Sequence, residues 1–282
     1  MKIRFWGTRG SIPVSGEEFL KYGGSTTCVA IDTNDGEKII IDAGTGIRKL
    51  GNMLMSRREN HHHYNILFTH SHWDHIMGFP FFKPIYHKDT SIKVFGCPFA
   101  QESVRQIISE AMEPPFFPIQ CEDIRADIEF TRSCTTKFGI GGVEIIPVLL
   151  SHPNKGIGYK FVENGKSFVF LTDNELSFQH PGGLKFSEYV DFCKDADLLV
   201  HDAEYTEEEY ELTKTWGHST YIDALNLAIA ADVSMFVLWH HNQERTDADL
   251  NMIVEDCREK IKKASLKIEC LAAREGQVIE LK

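Results

Sequence analysis

Three imidazoles and a carboxylate fall within six consecutive residues, His70-Ser71-His72-Trp73-Asp74-His75, directly after the apolar run Asn65-Ile66-Leu67-Phe68. Imidazole nitrogens and carboxylate oxygens are what divalent cations of borderline softness take as ligands. Alternate residues of an extended chain share a face, so His70 and His72 at a strand end can grip one ion. Asp74 and His75, where a helix should begin, are placed to grip a second. A solvated loop can collect titratable groups by accident, but ordered spacing at a strand terminus points to a two-metal site.

Such a site needs ligands from elsewhere, and other strand-like runs also end in one. Val143-Glu144-Ile145-Ile146-Pro147-Val148-Leu149-Leu150 leads into Ser151-His152, Ser167-Phe168-Val169-Phe170-Leu171-Thr172 into Asp173, and Met235-Phe236-Val237-Leu238-Trp239 into His240. In open α/β sheets reactive groups gather beyond the carboxyl ends of strands, so these termini can converge on one crevice. Taken singly, a histidine after a strand is more often solvent-facing or a capping residue than a ligand. As a set with the His-x-His-x-Asp-His run they form a coherent coordination sphere.

The ordered set His70, His72, Asp74, His75, His152, Asp173 and His240 resembles the metallo-β-lactamase-fold hydrolases, and the match runs essentially end to end. Gly-Thr-Arg-Gly-Ser at residues 7 to 11, Tyr22-Gly23-Gly24-Ser25-Thr26, Ile41-Asp42-Ala43-Gly44-Thr45-Gly46, Gly217-His218-Ser219-Thr220 and Trp239-His240-His241 narrow the resemblance. They are similar to the branch that includes ribonuclease Z, the tRNA 3′-processing endonuclease, and related bacterial phosphodiesterases.

Asp173, with two carboxylate oxygens, is the residue suited to span both ions. That leaves His70, His72 and His152 on one and Asp74, His75 and His240 on the other. Zn²⁺ suits such spheres first, and Mn²⁺, Fe²⁺ and Ni²⁺ are admissible. His240 and His241 compete for the last ligand position, and the resemblance favours His240. Asp42 reads either as an acceptor that orients a ligand imidazole or as part of a structural turn with Gly44 and Gly46.

Two cations supply a strong nucleophile and neutralise charge on the attacked group, which leaves the leaving group to be protonated. His218 is the candidate acid, since Thr220 and Asp223 can cap a helix just after it as S/T-x-x-D. Asp202, after the run Asp197-Leu198-Leu199-Val200-His201, can orient that imidazole. In the ribonuclease Z branch a Glu resembles this position, so the Asp is a departure. A helix-start residue with a structural hydrogen bond is the plainer reading of His218. The catalytic set is then Asp74, His218 and Asp202. A flavodiiron-type oxygen reductase would want a carboxylate at His72, and the Gly-His-Ser-Thr run argues against a β-lactamase.

With 282 residues, 42 % of them hydrophobic, the chain can bury a sizeable core, and no composition break divides it. Residues 1–282 therefore read as one domain. Seven cysteines form no C-x-x-C pair, and no apolar run reaches membrane-spanning length, so a cytoplasmic enzyme without a membrane partner is expected. A net charge of −11 disfavours a nucleic-acid polymer, because non-specific binding of nucleic acid draws on Lys and Arg. Glu204, Glu207, Glu208, Glu209 and Glu211 read as a solvated acidic helix face.

Strand signals at 3–6, 26–33, 38–41 and 65–68, an Asp35-Gly36 hairpin turn and a helix over 46–58 open the chain. His61-His62-His63 reads as a solvated loop. Residues 97–137 form an insertion: a helical stretch at 101–112, the run Pro114-Pro115-Phe116-Phe117-Pro118, and a charged segment at 122–129. It suits a cap over the site or a homodimer contact, and equally an ordered loop packing its own aromatics. Asn164-Gly165 turns a second hairpin. Two halves of strands with flanking helices imply an α/β fold, the αββα four-layer sandwich that the resemblance also implies. The function expected is that of a binuclear, metal-dependent phosphodiesterase acting on a small phosphodiester such as a cyclic nucleotide. The alternatives are a ribonuclease Z-like tRNA 3′-processing endonuclease and a non-catalytic metal-bound sensor.

Overall fold

A computed structural model describes residues 1–56, 61–96, 104–132 and 136–282. Its strands form two seven-stranded sheets. The first contains β1 (Lys2–Gly7), β2 (Cys28–Asp32), β3 (Lys38–Ile41), β4 (His62–Leu67), β5 (Thr90–Gly96), β6 (Asp127–Arg132) and the last strand, β14 (Val278–Glu280), in the order β14-β1-β2-β3-β4-β5-β6. The second contains β7 (Phe138–Ile140), β8 (Val143–Leu150), β9 (Gly156–Glu163), β10 (Lys166–Leu171), β11 (Leu198–Asp202), β12 (Met235–Trp239) and β13 (Glu269–Ala272), in the order β13-β12-β11-β10-β9-β8-β7.

Side-chain alternation explains the layering. Ile39 and Ile41 of β3, Phe168 and Phe170 of β10 and Leu198 and Val200 of β11 face a shared core between the sheets, with Trp239 and Phe5. Their neighbours Val169, Leu171 and Leu199 face outward onto α4 (Phe186–Cys193), α6 (Tyr221–Ala230) and α7 (Asp247–Lys263). Ile40 and Ile66 face outward on the other side, onto α1 (Ile47–Met55) and α3 (Val104–Ala111). Strands covered on both faces must be apolar at successive positions, which is why these runs are nearly unbroken. The result is the expected αββα sandwich.

The sheet order also sets where chemistry can occur. β3, β4, β5 and β6 run parallel, as do β10, β11, β12 and β13. β8 and β10 both pair antiparallel with β9 and so share a direction. The carboxyl ends of β3 and β4, and those of β8, β10, β11 and β12, therefore lie along one rim of each sheet.

Asn164 and Gly165, at φ of 53° and 77°, make the β9-β10 hairpin turn where expected. Other expectations shift. His62 is buried inside β4, its imidazole against Tyr64 and His87, so the histidine run is not a solvated loop. Part of the 122–129 segment is strand β6, which extends the first sheet by pairing with β5. The ends of the two helices expected at 46–58 and 101–112 fall partly outside the described residues. Met112 and Ile108 bury the insertion against the first sheet, and Phe117 meets Phe81 with ring centroids 5.5 Å apart. Among the described residues no helix is long and apolar enough to cross a membrane.

Candidate metal centre

The polypeptide turns sharply where the strands end. Asp42 after β3, Asp173 after β10 and His240 after β12 all adopt left-handed backbone, with φ of 59°, 50° and 56°. Such conformations are rare for residues with a Cβ and persist where the surroundings over-determine them, often at functional sites. The short α2 (Trp73–Ile76) begins at His72, so the histidine run passes from strand end to helix as its spacing suggested.

The seven expected ligands come together in two groups that share Asp173. Donor atoms of His70, His72, His152 and Asp173 all lie within 4.8 Å of one another, as do those of Asp74, His75, Asp173 and His240. His72 Nδ1 is 3.1 Å from His152 Nε2, and Asp173 Oδ2 is 3.4 Å from the Nε2 atoms of both His70 and His240. His75 Nε2 lies 3.3 Å from Asp173 Oδ1, and His240 Nε2 lies 3.1 Å from Asp74 Oδ2. Ligand atoms about 2.0–2.1 Å from a tetrahedral ion sit roughly 3.3 Å apart, so these spacings fit. The buried Nε2 atoms of His70 and His75 make no hydrogen bond, as nitrogens aimed at a cation would not.

The remaining nitrogens of His70, His75, His152 and His240 are anchored, that of His70 lying 3.2 Å from the Thr69 hydroxyl. His75 Nδ1 is 2.8 Å from Asp42 Oδ2, and Asp42 also accepts from the Thr69 N–H and hydroxyl, so its acceptor role is realised. His240 Nδ1 is 2.8 Å from Glu204 Oε2, and His152 Nδ1–H donates to the Gly217 carbonyl at 2.9 Å. His241 turns away, donating from Nε2 to the Ala273 carbonyl, so of the two adjacent histidines it is His240 that faces the site. Gly10 presses on His240: a Cβ there would come within 2.2 Å of the ring. Its neighbour Ser11 donates its N–H to Asp74 Oδ2 at 2.9 Å.

His218 stands beside these groups, its ring stacked on His240 at 4.7 Å. Its Nδ1 is 3.1 Å from Asp202 Oδ2 and 3.4 Å from Glu204 Oε2. The Thr220 hydroxyl caps α6 by accepting the Asp223 N–H, while the Asp223 carboxylate is engaged by Ser177 rather than completing a capping box. Glu204 was missed by the sequence reading. It does not belong to an acidic helix face, being 2 % exposed and turned inward. The signal was available: Thr206 and Glu209 form a capping box that starts α5 (Glu207–Thr213) beyond Glu204.

The charges of the protein groups divide the site. Burial holds His70 and His72 below the ordinary imidazole range and brings His152 down to about 3. Burial also opposes the charged form of His75 and His240, but there the carboxylates outweigh it, Asp74, Asp173 and Asp42 for the first and Asp173, Asp74 and Glu204 for the second, and both are raised. Burial is likewise outweighed at His218, which Glu204 and Asp202 raise to about 9.

A family model described as Beta-lactamase superfamily domain matches residues 37–241. The ribonuclease Z of Haloferax volcanii is 23 % identical over 325 residues, covering 100 % of this chain and 95 % of the relative. Among solved structures, the metallo-beta-lactamase fold protein YhfI from Bacillus subtilis superposes with a TM-score of 0.72 at 15 % identity, covering 99 % of this chain and 98 % of its own. The short form of human tRNase Z gives 0.67 at 20 % identity and full coverage of both chains. These relatives correct one expectation. Proteins named as ribonucleases match this chain from end to end, so its acidic charge does not disfavour a nucleic-acid polymer. Net charge sums over the whole surface, whereas a phosphate meets only the local field, which bound cations dominate.

Proposed function

The chain belongs to the beta-lactamase superfamily and is a metal-dependent hydrolase, and from that premise we propose that it is a phosphodiesterase whose substrates include nucleotide phosphodiesters, RNA among them. The observation that carries this reading is the pair of donor groups meeting at Asp173 with a carboxylate-held imidazole beside them. In this reading His70, His72 and His152 hold one divalent ion, Asp74, His75 and His240 a second, and Asp173 both, with Zn²⁺ the first candidate. When bound, two such ions supply a hydroxide nucleophile and neutralise charge on the phosphoryl oxygens. His218 carries the proton the departing oxygen needs, and Asp202 and Glu204 hold that imidazole and favour its protonated form. In this reading the described part of the insertion forms a rim near the site, where Phe117 meets Phe81 in the segment just after α2.

A second reading, tRNA 3′ processing, is favoured by the whole-length likeness to ribonuclease Z. One experiment addresses both. Metal-assayed protein is offered bis(4-nitrophenyl) phosphate, cyclic nucleotides and precursor tRNA. Turnover lost on chelation and restored by Zn²⁺ or Mn²⁺ is expected for at least one diester, and site-specific cleavage of the precursor would select the second reading. Fully metal-loaded protein inert towards every diester would make the chain a binding module instead.

A further inference from the structure

Glu175 lies two residues past Asp173, on the chain leaving β10, and is 1 % exposed. Its carboxylate takes four donors. Oε1 accepts from the Tyr210 hydroxyl at 2.6 Å and the Thr215 N–H at 2.7 Å. Oε2 accepts from His180 Nε2–H at 2.7 Å and the Gly217 N–H at 2.9 Å. A carboxylate offers about four lone-pair directions, so this one is saturated by protein groups and is not turned towards a cation or a substrate. Whatever it does for the reaction it does through the groups it holds.

Those groups converge on the peptide just before His218. Gly217 is fixed from both sides: its N–H is bonded to Glu175, and its carbonyl accepts the Nδ1–H of His152. Its φ of +97° is open to glycine, and a Cβ there would lie 2.0 Å from His152 Nδ1. One short segment therefore orients the His152 imidazole and, one residue on, sets where the His218 side chain begins. The Glu175 N–H is bonded to the Ser151 carbonyl at 2.8 Å, which ties the same hub to the strand end carrying His152.

We propose that Glu175 is a positioning residue: it fixes the 215–217 backbone so that His152 keeps Nε2 towards His72, and His218 stays against Asp202 and Glu204. The kinetic part rests on the phosphodiesterase reading, while the part concerning His152 rests on the donor geometry alone. The test is Glu175→Gln, whose amide faces at least two donors with an NH₂ whichever way it turns. Zn²⁺ affinity is measured by chelator competition, and rates at saturating metal are compared for bis(4-nitrophenyl) phosphate and a nucleoside diester, with and without His218→Ala.

Zinc affinity should fall roughly 10- to 100-fold, as when other supports of ligand histidines are removed. The nucleoside diester should slow by roughly 10- to 100-fold and the aryl diester by less than about 3-fold, because a nitrophenolate departs without an acid. In the His218→Ala background the added loss on the nucleoside diester should shrink to under about 3-fold, since the group being positioned is gone. Equal slowing on both substrates with unchanged zinc affinity, or fully multiplicative losses in the double variant, overturns the proposal. Should Glu175→Gln not fold, Tyr210→Phe removes one donor and should show the same pattern at roughly 2- to 5-fold; no change in either measurement overturns it. If wild-type protein turns over neither diester, the phosphodiesterase reading fails, and zinc affinity unchanged in Glu175→Gln overturns the placing of His152 independently.

Discussion

The two donor groups that meet at Asp173 are built differently. In the first, burial lowers the imidazoles of His70 and His152 and, to a lesser degree, the half-buried His72, favouring their neutral forms, and His152 is braced by a backbone carbonyl. In the second, each imidazole is backed by a buried carboxylate, His75 by Asp42 and His240 by Glu204. A carboxylate behind a histidine fixes its tautomer and raises its basicity. Coordination requires neutral imidazole, so if each group holds an ion as proposed, burial favours the ligand form of the first, whereas the second would release protons on binding. Two donor groups that share Asp173 should thus answer differently to pH and to mutation.

The most damaging change should be the one both halves share. Asp173→Ala is expected to lower turnover by more than about 10⁴-fold and to loosen the second ion, because nucleophile generation and charge neutralisation fail together. Elemental analysis and rates check this, and retention of both ions with near-normal turnover would remove Asp173 as the bridge.

His218→Ala should retain full metal content yet lose about 10²- to 10⁴-fold on an alkyl or nucleoside diester, and much less on a nitrophenyl diester. Asp202→Ala should give the same pattern more mildly. Loss of metal in His218→Ala, or equal slowing on both leaving groups, would make His218 a ligand or a structural residue.

The contrast between the halves is sharpened by their carboxylates. Asp42→Asn should weaken metal binding roughly 10- to 100-fold without altering leaving-group dependence. Glu204→Gln should do both, since Glu204 touches His240 and His218 alike. If the two variants behave identically, Glu204 supports the metal only. The mildest effect is that of pH. The folded-state pKa of His218 is raised, so its acid form is present below about 9 and is lost as pH rises through that value. Nucleoside-diester turnover should then fall by up to about 10-fold per unit above that pH, while aryl-diester turnover holds level.

Much of the candidate site's donor set was legible because the chain wrote it locally. His70, His72, Asp74 and His75 lie within one run, and the strand ends at His152, Asp173 and His240 are marked by apolar stretches buried on both faces. Asp42 and Asp202 could be read for the same reason, each closing such a stretch. The Thr206–Glu209 capping box already set Glu204 outside the acidic helix, but what Glu204 and Glu175 hold could not be read, because their partners are brought together by the sheet order: His240 lies 36 residues from Glu204, and Gly217 lies 42 from Glu175. His62 misled through its polarity, since a histidine paired with Tyr64 can sit inside a strand. Net charge misled about substrate because it carries no information on where cations gather.

In the proposed reading the two halves each hold an ion in the working protein. Metal content per chain, measured on the same preparation whose diester turnover is measured, decides it. Two ions per chain, with activity rising as the second is loaded, is the expected result; a fully active preparation holding a single tightly bound ion would contradict it.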